Sequence, residues 1–304
     1  MRIAVIGAGA MGSIYGGHLS QNNEVYLVDT AAQVVEHVRK EGIKIQENGE
    51  DVIYHPQAVT STEGLEPVDL VILFVKSLFS RAALSGNKGL IGPDTYVMTL
   101  QNGSGHEDIL GEFVGQDHIV IGTTEDNGAV LGLGHIRRGG EGNTNVGMLV
   151  EDKDGFLPKL KEAFDCCGFN VKIHANIQQL IWNKLFTNVS LSALTGVLQV
   201  DMGYIAANEY AWDLCCQLIH ETVKTAAAAG LNFDEEKVRE KVKNTSINNP
   251  NGCTSIRADL RDGRRTEVDT ISGAVVRAAH KYGVEVPGHE CIVRLVHAME
   301  GRNK

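Results

Sequence analysis

No run of eighteen apolar residues occurs in the 304-residue chain, which argues against a membrane-spanning helix. No cationic leader precedes a long apolar stretch, so a secretory signal is not expected either. The expectation is a soluble, cytoplasmic protein. A positive surplus is also missing. The 38 acidic side chains outnumber the 28 Lys and Arg, for a net charge of -10. A nucleic-acid or anionic-membrane partner is therefore not expected. The one basic cluster, "RDGRR" at 261–265, reads as a solvated turn. Six cysteines include no C-x-x-C and form no disulfide framework, so free thiols in a reducing compartment are expected. Eleven histidines are scattered without H-E-x-x-H or similar spacing, and no metal is expected. Repeats and low-complexity segments are absent as well.

What is present is ample apolar material, 43% of the chain, and a change of style along it. The length favours two domains. In the first half, short apolar runs ("RIAVIG", "EVYLVD", "VDLVILFV", "TYVMTLQN", "HIVIGTT") alternate with helical patterns. Nearly continuous apolar strands separated by helices predict a parallel sheet covered on both faces. "NVKIHAN" reads as the last strand plus a linker. Beyond it, 177–196, 204–229, 234–244, 252–262, 266–282 and 288–300 all read as helical, with Gly230, Gly283 and Pro287 as punctuation. The expected division is residues 1–172 as an α/β dinucleotide-binding domain and 173–304 as an all-helical domain.

The strongest motif is G-x-G-x-x-G at Gly7, Gly9 and Gly12, with Ala8, Ala10 and Met11 between them. It directly follows one strand and opens a helix, and a second strand ends at Asp29. That context makes it a dinucleotide fingerprint rather than a glycine turn. Gly7 permits the tight turn, Gly9 lets a pyrophosphate approach the backbone, and Gly12 lets the helix pack on the strand. The helix N-terminus then offers unpaired N–H groups to the phosphates. Asp29 can accept hydrogen bonds from ribose hydroxyls and would repel a 2′-phosphate. At ~5 Å and an effective dielectric of ~20, each unit of phosphate charge costs roughly 3 kcal/mol, about a hundredfold in affinity. No Arg or Lys lies between Asp29 and Glu36 to offset this. NAD(H) is expected in preference to NADP(H), which remains possible.

Two further residues follow apolar strand runs: Lys76 in "VILFVKS" and Asn102 in "TLQNGSG". In an open α/β sheet, ligands bind beyond the carboxyl ends of strands, so both lie in the zone for cofactor or substrate. A surface lysine and a turn asparagine are the plainer readings. In "IWNKLFTNVSLSALTG" (181–196) a wheel of 100° per residue puts Lys184, Asn188, Ser192 and Thr195 on one polar stripe, beside Leu191. Trp182, Leu185, Phe186, Val189 and Ala193 take the other side. By itself this is an amphipathic surface helix, or else a helix lining a cleft. In "CTSIRADLRDGRRTEVDTISG", Ser255 and Glu267 stand out. Thr266-x-x-Asp269 reads as a capping box that starts a helix near Glu267.

The pieces "GAGAMG", "FVKS", "LQNG", "WNKLFTN", "TSIRADLRDGRRTEVDTISG" and "HKYGVEVP" together resemble the ketopantoate reductase family. They come in the family's order and span almost the whole chain. The resemblance implies an N-terminal Rossmann domain and an all-helical, 6-phosphogluconate-dehydrogenase-like C-terminal domain for substrate binding and dimerisation. It also implies an active site between them, a homodimer and a role in pantothenate biosynthesis. The substrate would be a small 2-oxo acid, ketopantoate, reduced by a nicotinamide cofactor. Carried over residue by residue, Lys184 resembles the catalytic lysine and Glu267 the glutamate that contacts substrate and cofactor. Asn188 and Ser255 resemble the groups holding substrate hydroxyl and carboxylate. Lys76 and Asn102 resemble the loop residues near the nicotinamide.

Two positions depart from the family pattern. A basic, NADP-type residue is common where Asp29 stands, and some members have a second asparagine where Ser192 stands. Two other readings compete. A β-hydroxyacid dehydrogenase also uses a helix lysine with an asparagine four residues on, but usually with a Gly-rich turn just before it, which "NIQQLIWNK" lacks. A non-catalytic dinucleotide sensor would need the glycine loop but neither Lys184 nor Glu267.

Overall fold

The computed structural model describes residues 1–302. They form two compact units: Met1–Gln101 with His106–Ile177, and Asn102–Gly105 with Gln178 onward.

The first unit runs β1 (Arg2–Ile6), α1 (Ala10–Leu19), β2 (Glu24–Val28), α2 (Ala32–Glu41), β3 (Ile43–Glu47), β4 (Glu50–Tyr54), β5 (Gln57–Val59), β6 (Leu70–Leu73), α3 (Ser80–Gly86), β7 (Tyr96–Thr99), α4 (His106–Leu110), β8 (Ile119–Thr124), β9 (Gly128–Gly132), β10 (His135–Arg138), β11 (Asn143–Gly147), α5 (Phe156–Asp165) and β12 (Asn170–Ile173). Eight strands make one sheet in the order β12-β11-β8-β7-β6-β1-β2-β5. Every pairing in it is parallel except β8 with β11. From β1 the chain builds outward through β2 and β5, then returns to β6 on the other side of β1. That reversal leaves a crevice beyond the carboxyl ends of β1 and β6, the place where such sheets take ligands.

The expected parallel sheet is present, and its central strands are buried along almost their whole length: Ile3, Ala4, Val5, Leu70, Ile72 and Leu73 are fully enclosed. The sequence reading missed a second sheet, β4-β3-β10-β9. Its strands are short and partly exposed, so they lack the long apolar runs used to find the others. One signal for it was present. Asn48 and Gly49 join β3 to β4 with φ of 51° and 85°, and Asn-Gly between two short β runs marks a hairpin.

The second unit is helical: α6 (Ile177–Thr187), α7 (Ala193–Leu198), α8 (Met202–Ala207), α9 (Glu209–Ala228), α10 (Glu235–Asn248), α11 (Ser255–Arg261), α12 (Ser272–Tyr282) and α13 (Pro287–Glu300). Its core includes Trp182, Leu185, Phe186, Val189, Leu218, Ile256, Val275 and Val296. The single helix expected over 204–229 is two, because the Asn208 side chain accepts from the Ala211 N–H and caps a new start. The helix expected over 177–196 is also interrupted. Between α6 and α7, Asn188–Ser192 form a π-helical turn. The helix expected near Glu267 begins only at Ser272. Thr266 makes no capping box: its hydroxyl accepts from the Val268 N–H at 3.2 Å and donates to Glu300 at 2.7 Å.

All six cysteines are free. Among the described residues no helix is long and apolar enough to cross a membrane.

Candidate active site

At the carboxyl end of β1 the chain turns sharply. Gly7 has φ of +106°, and a Cβ there would lie 2.9 Å from the Phe74 carbonyl carbon and the Val75 nitrogen. Its N–H donates to the Val28 carbonyl at 2.8 Å, so the turn stays anchored to β2. A Cβ on Gly12 would sit 1.8 Å from the Gly7 oxygen, which is why α1 can pack this close only with glycine there. Gly9 differs: a Cβ there would meet nothing within 4 Å. Gly9 caps α1 without a side-chain hydrogen bond, so the first-turn N–H groups are left to a ligand. Ala8, Ala10 and Met11 are half-buried around it.

Asp29 follows directly on β2. Its Oδ2 accepts from the Ala8 N–H at 2.7 Å and its Oδ1 from the Ala31 N–H at 2.8 Å. Each carboxylate oxygen keeps a lone pair for another donor. The open backbone at Gly9, the uncapped helix end and the strand-end carboxylate suit a dinucleotide's pyrophosphate and ribose.

Lys76 lies three residues beyond β6 and is half-buried. Its segment is held by a residue that motif reading did not single out. Gln101 is buried, donates from Nε2 to the Val75 carbonyl at 2.5 Å, and accepts from Thr99 Oγ1 at 2.8 Å. Asn102 is half-buried and starts the tetrapeptide grouped with the helical unit. There the Ser104 N–H donates to the Thr270 carbonyl at 3.0 Å. A Cβ on Gly103 would lie 2.0 Å from that same oxygen.

In the helical unit, Lys184 stands in the last turn of α6 and Asn188 opens the π-turn, both half-buried. Ser192 closes that turn with 4% exposure, and its buried Oγ has no hydrogen-bond partner. Thr195, expected on the same stripe, makes its contacts inside the core. It is fully buried, donates to the Leu191 carbonyl at 2.8 Å, and its hydroxyl lies 2.7 Å from that of Thr254. Leu191, expected beside the polar residues, is fully buried too. Trp182, Leu185, Phe186, Val189 and Ala193 are buried, as the wheel predicted.

The Thr195–Thr254 contact has a use. Thr254 is the N-cap of α11, so the pair pins the start of that helix to α7. Gly196 permits the approach, since a Cβ there would lie 2.5 Å from Ile256 Cγ2. Ser255, exposed at the first position of α11, is thereby fixed beside the helix that carries Lys184 and Asn188.

Glu267 is half-buried in the turn before α12. Thr266 anchors this turn: its N–H and hydroxyl both donate to Glu300 Oε1, each at 2.7 Å. His297 continues the tie, with Nδ1 3.0 Å from Glu300 Oε2 and Nε2 3.0 Å from Asp269 Oδ1. Burial alone would lower the His297 pKa and raise that of Glu300. The hydrogen bonds and opposite charges win in both cases, so His297 is raised and Glu300 lowered. None of these anchors was legible as a motif, because Thr266 and Glu300 are 34 residues apart.

Comparison with known proteins agrees with this architecture. Residues 3–151 match the family described as Ketopantoate reductase PanE/ApbA, and residues 176–300 match its C-terminal region. The 2-dehydropantoate 2-reductase of Lactococcus lactis subsp. lactis is 32% identical over 99% of this chain and 98% of its own. Among solved structures, a ternary complex of D-mandelate dehydrogenase with NADH and anilino(oxo)acetate superposes with a TM-score of 0.90 at 32% identity, covering 99% of this chain and 98% of that one. The 2-dehydropantoate 2-reductase of Methylococcus capsulatus gives a TM-score of 0.86 at 25% identity, covering 100% and 98%. With both halves matched in order, the chain belongs to the ketopantoate reductase family of NAD(P)-dependent oxidoreductases.

Proposed function

We propose that this protein reduces ketopantoate to pantoate with NADH as the preferred donor, as a step of pantothenate biosynthesis in the cytoplasm. The observation that supports the reading is that one helical unit holds Lys184, Asn188 and Ser192 on successive turns, with the start of α11, where Ser255 stands, tied to α7 through Thr195 and Thr254. Bound NADH supplies the hydride. The first unit's residues would hold the cofactor: Ala8, Ala10 and Met11 with the three glycines would cradle the pyrophosphate, and Asp29 would take the ribose hydroxyls. The family resemblance would also assign Lys76, Asn102 and Glu267 to the nicotinamide end.

Lys184 is the group that meets the growing negative charge on the ketone oxygen. Its ammonium donates a hydrogen bond to that oxygen and then transfers the proton, acting as electrostatic stabiliser and general acid. Asn188 and Ser255 hold the substrate hydroxyl and carboxylate, and Glu267 fixes the orientation. The 173–304 portion would also supply the contacts of a homodimer.

A second reading has its own support. Ser192 is small and its hydroxyl is unpartnered, at a position where some family members carry asparagine. A shorter side chain leaves room for a bulkier substrate, and a neighbouring structure at 32% identity is a D-mandelate dehydrogenase. A bulkier 2-oxo acid is therefore the alternative substrate.

The test is NADH and NADPH oxidation with ketopantoate beside branched and aryl 2-oxo acids. Highest kcat/KM with ketopantoate and NADH supports the first reading. A bulkier 2-oxo acid preferred at least tenfold moves the assignment to the second. Tight NADH binding with no turnover on any of them leaves only a dinucleotide sensor.

A further inference from the structure

The polar stripe did not come out as a regular helix would place it, and the π-turn explains the difference. A π-turn closes hydrogen bonds five residues back rather than four, which inserts one residue into the helical register. Here the Ala193 N–H reaches the Asn188 carbonyl. Counted from Lys184 as an uninterrupted α-helix, Ser192 would stand at about 80° and Thr195 at about 20°. One inserted residue turns everything beyond it back by about 100°. Ser192 then comes to about -20°, almost in line with Lys184, and Thr195 swings to about -80°. Leu191 is carried off the stripe in the same direction. Leu191 and Thr195 are fully enclosed, Ser192 keeps 4% exposure, and Lys184 and Asn188 are half-buried.

Two hydroxyls lie within and just beyond the insertion. Ser190 is fully buried and donates to the Phe186 carbonyl, four residues back, at 2.6 Å. A hydroxyl back-bonded in this way competes with the backbone N–H for the carbonyl four residues before it and tends to bend the helix there. Thr195 does the same on the Leu191 carbonyl at 2.8 Å, and its contact with Thr254 locks α7 in the rotated position.

We propose that Ser190 and Thr195 are positioning residues that hold the π-turn, and that the turn brings Ser192 into line with Lys184 and Asn188 as one substrate-facing row. The inference rests on the 2-oxo acid reductase reading for its activity arm only.

The test compares wild type with Ser190→Ala and Thr195→Val, the second keeping shape while removing the hydroxyl. Three quantities are measured: kcat/KM with the best 2-oxo acid, the NADH dissociation constant, and hydrogen exchange of the Ala193 amide. Each variant is expected to lose about tenfold in kcat/KM and to bind NADH within twofold of wild type. Exchange at Ala193 is expected to quicken about tenfold. Wild-type exchange in both variants would overturn the claim that these hydroxyls hold the turn. Faster exchange with unchanged kcat/KM would overturn the link to the substrate row, as would a loss of NADH affinity parallel to the loss of activity. If wild type reduces no 2-oxo acid, the functional reading fails, while the exchange measurement still decides whether the hydroxyls hold the turn. Should Ser190→Ala fail to fold, Thr195→Val carries the same arms.

Discussion

The Ala8 N–H donates to Oδ2 of Asp29 at 2.7 Å, so the carboxylate proposed to select the cofactor is itself part of the glycine loop. Asp29→Asn keeps the shape and removes the charge, although its amide can no longer accept at both oxygens. The ratio of kcat/KM for NADPH over NADH is expected to rise about tenfold to a hundredfold. NADH itself should bind somewhat less tightly, because the loop loses one anchor. Steady-state kinetics with both cofactors measure the ratio, and an unchanged ratio would show that the charge is not the selector.

The glycines of the loop make different demands, and two substitutions separate them. In Gly12→Ala the new Cβ falls 1.8 Å from the Gly7 oxygen, so α1 must move away from the strand. Overpacking of this kind costs roughly 1–3 kcal/mol. Thermal melting should drop by several degrees and NADH affinity by at least tenfold. In Gly9→Ala the Cβ meets no protein atom within 4 Å. Melting should stay at the wild-type value while NADH affinity falls, because the only thing the methyl can obstruct is the ligand. A normal NADH titration curve for Gly9→Ala would place the pyrophosphate elsewhere.

How far the sequence could be read depended on the range of the interactions involved. β1, β2, β6, β7 and β8 announced themselves because their near-continuous apolar runs answer to burial on both faces. β3 and β4 did not, since Val52 and Ile53 are exposed and the pairing with β10 spans some ninety residues. The glycine loop was legible because its constraints are local: a positive φ, an α1–β1 contact, a strand end. The helix that carries Lys184 was legible as a helix, and so was its apolar face, but the burial of Leu191 and Thr195 on the other side was not. A wheel assumes a constant turn, and the inserted residue within Asn188–Ser192 breaks that assumption. The hold on Glu267 was invisible for another reason, since Glu300 and His297 reach it only through the packing of α13.

Lys184→Ala is expected to lower kcat by at least about 100-fold, the usual scale of a general-acid contribution. NADH binding, followed by fluorescence, should stay within twofold, because the lysine belongs to the helical unit. Lys184→Arg separates the two parts of the role. An arginine keeps the positive charge but cannot give up a proton near neutral pH. Partial recovery over the alanine variant would measure the electrostatic share, and near-normal turnover in Lys184→Ala would refute the assignment.

The tie between Thr266, Glu300 and His297 gives the turn carrying Glu267 a pH dependence of known sign. His297 is raised above its ordinary 6.5, so its contribution to stability is complete below that value and is lost as pH rises through the folded-state pKa. Glu300 is lowered below its ordinary 4.5, so its contribution is complete above that value and is lost as pH falls through the folded-state pKa. Both are complete together between 4.5 and 6.5 and fade beyond that window on either side. His297 is well exposed, with side-chain exposure of 41%, and solvent screening keeps its share small. His297→Gln should therefore melt at most about 2–4 °C below wild type near pH 6, with the gap narrowing as pH rises through the folded-state pKa of His297. Glu300→Gln should cost more at pH 6, because the Glu300 side chain is only 9% exposed and its Oε1 receives both Thr266 donors. A His297→Gln gap that stays constant from pH 5 to pH 8 would show that the imidazolium charge plays no part in holding the turn.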